Sequence, residues 1–427
     1  MGENERVGNW GARPPKGVTV AAAPAGLTAP AVFAAGSDRI RVGVVGCGGR
    51  GTGAAQNAVD AAPNVCLWAL GDLFPDRLES SRARLAKMAE DPARRDVFQV
   101  TPERCFVGFD AYKQVIDSGI DLVLLTTPPA FRPQHLRYAV EKGKHAFIEK
   151  PVAVCPAGVR SILESSRLAA EKRLGIVAGT CYRHHAGYLE TIGRIHDGAI
   201  GEILSMQAYY NTGSLWNHGR KPEWSDVEWQ IRNWLYFTWL SGDFITEQHV
   251  HSLDIVNWVL RANPVKAFGI GGRQVRTGLE FGNIYDHFTT EYEYPGGVRV
   301  TSMCRQIAGC ATRVSQNVIG TKGTSNPMSS ITFADGTRWQ SQAKNNMYVQ
   351  ELTDLIESVR KGEPLNEGKQ VAESTLVAIM GRMSAYTGRE VTWEQAMNSK
   401  LDLTFEKLEF GPRPVEPVAV PGKTPLI

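Results

Sequence analysis

The sequence predicts a two-domain α/β protein: an N-terminal doubly wound parallel sheet, then an α/β domain built on a large, mainly antiparallel sheet. Three observations carry this. Up to about residue 185, short β-branched runs alternate with helix-compatible stretches, and each run closes on a Gly, Asp, Thr-Pro or Lys-Pro motif. After residue 186 the runs alternate in polarity and are joined by Gly-Gly turns. At 427 residues the chain exceeds what one ordinary core organises.

The first strand is Ile-Arg-Val-Gly-Val-Val from Ile40, running into Gly46-Cys47-Gly48-Gly49-Arg50-Gly51 and a helix-compatible stretch from Ala54 to Val59. A second strand, Val65 to Leu70, ends on Gly71-Asp72, and a charged helical stretch from Asp76 to Ala89 follows it. The third, Leu122 to Leu125, ends on Thr126-Thr127-Pro128-Pro129. The fourth, His145 to Ile148, ends on Glu149-Lys150-Pro151, and the fifth, Gly175 to Ala178, on Gly179-Thr180. In such a sheet, ligands bind at the carboxyl ends of the strands, where these motifs fall. The second domain contributes strands at Ile203 to Tyr210, Phe288 to Tyr294 and Val298 to Met303. Between them Leu215 to Leu240 is dense in tryptophan, read mainly as packing with some rings at the rim of a pocket. Helices are predicted from Met347 to Val359 and near Gln370 to Thr387, with a Pro-rich strap from Phe410. The expected divisions are an arm at 1–36, a nucleotide domain at 37–185, a substrate and oligomerisation domain at 186–400, and a strap at 401–427.

Composition narrows the function. A net charge of +3, without a long Lys/Arg run, argues against nucleic acid as a partner. Seven scattered cysteines with no C-x-x-C pair indicate neither a disulfide framework nor a zinc knuckle. The His249-x-His251 and His184-His185 pairs lack a zinc-enzyme pattern such as H-E-x-x-H, so no metal is expected. No run reaches the length of a membrane span. Val18 to Ala35 resembles the apolar and cleavage regions of an export signal, although Arg13 stands without the second arginine of a twin pair. Export to the periplasm is the favoured expectation; a cytoplasmic protein with a flexible Ala/Pro arm is the alternative.

The glycine motif predicts a Rossmann dinucleotide site. Gly46 makes the tight turn, Gly48 lets backbone approach a pyrophosphate, and Gly51 lets helix pack on strand. Gly49 and Arg50 complete the phosphate loop, whose helix N-terminus offers N–H groups and a dipole to the phosphates. Asp72, 21 residues beyond Gly51 at the next strand end, can accept hydrogen bonds from both adenosine ribose hydroxyls. The cofactor expected is therefore NAD rather than NADP. Lys150 would project over the crevice to stabilise an alkoxide or take a proton, a solvated surface lysine being the alternative. If Gly242 to Trp258 is one helix, Glu247, His251 and Asp254 fall at i, i+4 and i+7 on one face, setting an imidazole between two acids. His249 points elsewhere and is read as structural. Tyr182, Arg183 and His184, just after a strand end, are placed for substrate contact.

Taken together, the Gly46–Gly51 turn, Gly143-Lys144-His145 before Glu149-Lys150-Pro151, Tyr182-Arg183 and Glu247–Asp254 resemble the Gfo/Idh/MocA oxidoreductase family over about residues 38 to 400. The resemblance implies that Lys150 and His251 are the catalytic lysine and histidine. Glu247 stands where the family usually carries Asp, and Thr127-Pro128 opens a loop longer than the family's Thr-Pro-Asn turn. By the same resemblance Thr127, Pro128 and Glu149 lie on the cofactor side and Asp254 on the substrate side. The substrate implied is a small carbohydrate, either a sugar, glycoside or cyclitol hydroxyl that gives up hydride, or a glycoside cleaved by transient oxidation and elimination. A dinucleotide sensor without catalysis is a third reading. A homo-oligomer formed through the C-terminal sheet is expected.

Overall fold

The computed structural model describes residues 38–405 and 407–427, so the signal-like run from Val18 to Ala35 lies outside the described residues. Strands β1 (Ile40–Val45), β2 (Val65–Asp72), β3 (Cys105–Val107), β4 (Leu122–Leu125), β5 (His145–Ile148) and β6 (Ile176–Ala178) form one sheet in the order 3-2-1-4-5-6. Every pairing in it is parallel. β4 and β5 are buried throughout and β1 at all but Arg41, as expected of strands covered by helices on both faces. Arg41 is held by Asp121, whose carboxylate accepts its backbone N–H at 2.8 Å and its guanidinium at 3.0 and 2.9 Å. β3, absent from the sequence reading, is a three-residue edge strand with no fully buried residue, too short to carry a pattern. The strand order reverses between β1 and β4, which opens a crevice at their carboxyl ends.

The second sheet has nine strands: β7 (Ile203–Thr212), β8 (Lys266–Gly272), β9 (His287–Glu293), β10 (Arg299–Gln306), β11 (Arg313–Gly320), β12 (Gly323–Asn326), β13 (Ser330–Phe333), β14 (Arg338–Gln340) and β15 (Val391–Thr392). All pairs are antiparallel except β7 with β10, which run parallel from Arg299 opposite Ser205 to Gln306 opposite Thr212. The sheet is therefore mixed, though largely antiparallel as expected. Helices Val250–Leu260 and Gly368–Thr387 cover one face. The second of these is buried along nearly its whole length because it also packs on helix Pro156–Glu171 of the first domain. On the other face, Ile270, Thr289, Met303 and Tyr209 form a row across β8, β9, β10 and β7, with Phe268 beside it. Phe268 and Ile270 are 55% and 62% exposed.

The two helices predicted near the end are Met347–Arg360 and Gly368–Thr387. From Ser399 the described chain carries neither helix nor strand and runs back over the molecule. Phe405 packs against Phe131 and Trp239, with ring centroids 5.1 and 5.9 Å apart, and Tyr285 Oη donates to the Ala419 carbonyl at 2.9 Å.

Candidate active site

A cavity of about 930 Å³ opens at the carboxyl ends of the first sheet, within the range of about 300–1,000 Å³ usual for ligand clefts. The whole Gly46–Gly51 turn lines it. Gly46 sits at φ +100°, a left-handed conformation that a side chain disfavours, and a Cβ on Gly51 would stand 1.8 Å from the Gly46 carbonyl oxygen. Strand and helix thus meet closely only because both are glycine. Helix Gly49–Ala61 begins at Gly48 with no side-chain cap and no acidic residue in its first turn. A Cβ on Gly49 would meet nothing within 4 Å, so the backbone there is open to a ligand. This cradle fits a dinucleotide pyrophosphate.

Asp72 lies in the same cavity, its carboxylate accepting the backbone N–H of Cys47 at 2.6 Å and of Phe74 at 2.8 Å. Burial raises its pKa against the pull of those two donors. Arg77 lies over the Phe74 ring at 5.6 Å and also lines the cavity. Arg50 is engaged elsewhere. Its guanidinium donates to Glu149, and at 2.7 Å to Glu351, a fully buried residue from helix Met347–Arg360. Burial pushes the Glu351 carboxyl up to about 8. The predicted cofactor residue Arg50 is therefore part of the cavity wall, but its guanidinium is committed to two acidic side chains.

Thr127 and Pro128 line the cavity after β4. Buried Arg132 ties that loop to the next one, donating to the Thr127 carbonyl at 2.7 Å and to the Pro151 carbonyl. Lys150, 13% exposed at its side chain, donates from Nζ to the Glu247 carbonyl at 2.7 Å and to Glu247 Oε1 at 3.1 Å. Lys150, Glu247 and His251 all line the cavity. The single helix expected here is interrupted. Asp243 at φ +66° starts a short turn, Phe244–Glu247, and a new helix runs Val250–Leu260 after a break at Gln248 and His249. The break takes Glu247 off the face that His251 and Asp254 share within the second helix, and neither carboxylate orients the imidazole. Glu247 turns to Lys150, and His251 Nδ1 is buried without a partner. Burial, together with the nearby Lys150 and Arg50 cations, holds the His251 pKa well below its ordinary value. His249 is fully buried, hydrogen-bonded to Ser302 Oγ at 2.6 Å, in keeping with a structural role.

The residues predicted for substrate contact lie outside the cavity lining. Asp254 is 1% exposed, accepting from Arg183 at 2.8 and 3.0 Å, Ser374 at 2.7 Å and Gln370 at 3.2 Å. This clamp joins the segment after β6 to both covering helices. His184 is buried against Asp354 at 2.6 Å and Glu367 at 3.3 Å, which hold its pKa at about 10 against the opposing effect of burial. Tyr182 stacks on Tyr188 and packs at a tilt against the His251 ring, each centroid 5.2 Å away, so it supports the imidazole rather than the cavity. Trp216 and Trp234 line the cavity, as expected of some rings in that stretch, and so does His218, which sequence reasoning missed. Their signal was the tryptophan-dense stretch, most of whose rings, such as Trp229 and Trp239, are core. Among the described residues, no group of three or more His, Cys, Asp or Glu side chains is placed to hold a metal, and no helix is long and apolar enough to cross a membrane.

Residues 40–177 match the oxidoreductase family with the NAD-binding Rossmann fold, and residues 188–326 match the GFO/IDH/MocA C-terminal domain. The scyllo-inositol 2-dehydrogenase (NAD(+)) of Bacillus subtilis is 25% identical over 292 residues, 67% of this chain and 73% of its own length. A glycosyl hydrolase family 109 protein of Bacteroides fragilis is 24% identical over 362 residues, 84% of this chain and 71% of its own. The crystal structure of aldose-aldose oxidoreductase from Caulobacter crescentus, complexed with glycerol, shares the fold with a TM-score of 0.65 at 18% identity, covering 83% of this chain and 99% of that one. With both domains matched in order and the glycine cradle, Asp72 and Lys150 meeting in one cleft, the chain belongs to the Gfo/Idh/MocA family of oxidoreductases.

Proposed function

We propose that the protein oxidises a ring hydroxyl of a sugar, glycoside or cyclitol with NAD as hydride acceptor. The observation that carries this reading is the placement of Lys150, Glu247 and His251 in the same cavity as the pyrophosphate cradle. When bound, the dinucleotide supplies the acceptor for hydride from the carbon that bears the hydroxyl. The hydroxyl proton needs a separate acceptor. His251, kept neutral by burial and by the adjoining cations, is the base; Lys150 holds charge against the oxygen as it loses its proton, and Glu247 positions Lys150. The names of the relatives support the substrate class, inositol for one and a glycoside for another. The latter favours a second reading: oxidation of a glycoside hydroxyl to a ketone acidifies the neighbouring C–H, loss of that proton expels the aglycone from the next carbon, water adds to the double bond so formed, and the hydride returns to the carbonyl.

A panel of sugars, cyclitols and aryl glycosides, assayed for both reduced dinucleotide and released phenol, tests both. Reduced dinucleotide without phenol is expected. Phenol release without accumulation of reduced dinucleotide transfers the assignment to the second reading, and silence in both arms on a broad panel rejects both. Lys150→Ala should lower kcat by a factor on the order of 10² while leaving dinucleotide affinity in place. A raised KM at unchanged kcat would make Lys150 a binding residue only.

The depressed pKa of His251 has a kinetic consequence. The neutral imidazole persists as pH falls, so the acidic limb of kcat/KM should have its midpoint below the ordinary histidine value of about 6.5. Lys150→Met removes one of the cations that disfavour the imidazolium and should move that midpoint upward. If His251→Asn retains the wild-type limb and rate, the proton goes elsewhere and Lys150 becomes the base.

NAD is expected to bind more tightly than NADP, because Asp72 opposes a 2′-phosphate and Arg50 is already paired with Glu149 and Glu351. Asp72→Ser should reverse the order by removing the carboxylate that opposes Arg77 in the same cavity. Tighter NADP binding in the wild type would show instead that Arg77 governs the site.

The uncovered row on the second sheet, Phe268 and Ile270 foremost, is proposed to be covered by a second copy of the chain. Light scattering after gel filtration should report an oligomer for the wild type and a smaller species for Ile270→Glu. A wild-type monomer at micromolar concentration would refute this.

A further inference from the structure

The cavity that contains Gly48, Asp72 and Arg77 shares its lining with residues far away in sequence: Trp216, His218 and Trp234. The Trp216 ring lies 5.1 Å from His218 and 6.3 Å from Trp234, measured between centroids. Trp216 is 42% exposed and His218 is exposed as well, so neither ring is buried in a core. Their backbone is nonetheless firmly fixed. Fully buried Asn233 accepts the His218 N–H at 2.7 Å and donates to the His218 carbonyl at 2.9 Å. Tyr236 Oη donates to the Trp216 carbonyl at 2.8 Å and to that of Leu215 at 3.2 Å. A pinned segment that presents uncovered aromatic faces to a cavity is suited to a planar ligand.

The same segment is fastened to the strand end that carries Asp72. Arg232 reaches Asp76 through two guanidinium nitrogens at 3.1 and 3.0 Å, and its charge lies 3.8 Å over the Phe74 ring. Phe410 of the C-terminal strap backs Phe74 at 6.1 Å and Phe109 at 5.0 Å, and both of those rings line the cavity. In the open crevice of a doubly wound sheet the residues after the second strand serve the adenosine half of a dinucleotide. Here that half is bordered by the second domain and the strap.

We propose that Trp216, His218 and Trp234 form the outer wall of the adenosine half of the dinucleotide site and set the rate at which the dinucleotide leaves. The inference rests on the dinucleotide reading of the cleft and adds residues that no fingerprint contains. The nicotinamide half is framed by motifs at strand ends. The adenosine half is framed by this wall, and a bound dinucleotide leaves only by breaking contact with it.

The test uses the full chain loaded with NADH, displaced by excess NAD in a stopped-flow instrument and followed by NADH fluorescence. Trp216→Ala should release NADH about tenfold faster or more, the scale at which losing an aromatic–base stack is felt, while Trp216→Phe stays close to wild type. His218→Ala and Phe410→Ala supply independent measurements should Trp216→Ala fail to fold. Melting temperatures without dinucleotide separate a lost wall from a damaged fold. Intact binding with wild-type release rates in all these variants would overturn the wall and leave the dinucleotide reading standing. Failure of the wild type to bind either NAD or NADP would remove that reading and the wall with it.

Discussion

The arrangement of the cleft depends on one guanidinium. Arg50 leaves the phosphate loop, passes over the Phe147 and Tyr348 rings, and joins Glu149 to Glu351. Its partners come from β5's end and from a helix near the end of the chain, so three segments far apart in sequence are tied at one point. Two acidic groups brought this close in a poorly hydrated site disfavour a second negative charge, which together with burial raises the Glu351 pKa, and the cation between them makes the approach tolerable. Glu149 immediately precedes Lys150. The ion pair that steadies the phosphate cradle therefore also sets the position from which the lysine side chain departs.

Around that point the two domains are joined by polar clamps rather than by packing alone. Asp254 gathers Arg183, Ser374 and Gln370, and Arg382, nearly fully buried, donates to the carbonyls of Gly242 at 2.6 Å and Val154 at 2.7 Å. Buried charge of this kind demands defined geometry, because an unpaired donor or carboxylate in the interior is expensive. The segment that carries Glu247 and His251 is thus held at both ends, by Arg382 at Gly242 and by Asp254 beyond the histidine.

What could be read from the sequence follows from how local each signal is. The Gly46–Gly51 turn, Asp72 and Lys150 were legible because each sits at a strand end, and a parallel sheet brings its strand ends together whatever the detail of the loops. The substrate-side assignment of Arg183, His184 and Asp254 did not carry through to the cavity. For Arg183 and His184 it rested only on their place after a strand end. The common face of Glu247, His251 and Asp254 rested on an unbroken helix, whereas the left-handed Asp243, buried and accepting from Phe244 and Tyr285, starts a separate turn and resets the phase. Helical periodicity has no means of registering such a break. β3 escaped for want of length. His218 escaped, and Trp216 was not singled out from its neighbours, because Asn233 and Tyr236, which place them, act through tertiary hydrogen bonds that leave no periodic trace.

The electrostatics of the reacting end follow from which partner each carboxylate takes. Had Glu247 bonded to His251, it would have favoured the imidazolium and left Lys150 uncompensated. Instead it pairs with the lysine, and His251, whose Nδ1 is buried without a partner, lies close enough to Lys150 and Arg50 for both cations to lower its pKa. The imidazole is thereby a proton acceptor at rest. Once it has taken a proton it stands beside two cations in a poorly hydrated site, an arrangement that favours rapid loss of that proton. In the reading proposed above, the arrangement keeps His251 in the form that can accept a proton, while Lys150 carries the charge that meets the developing alkoxide.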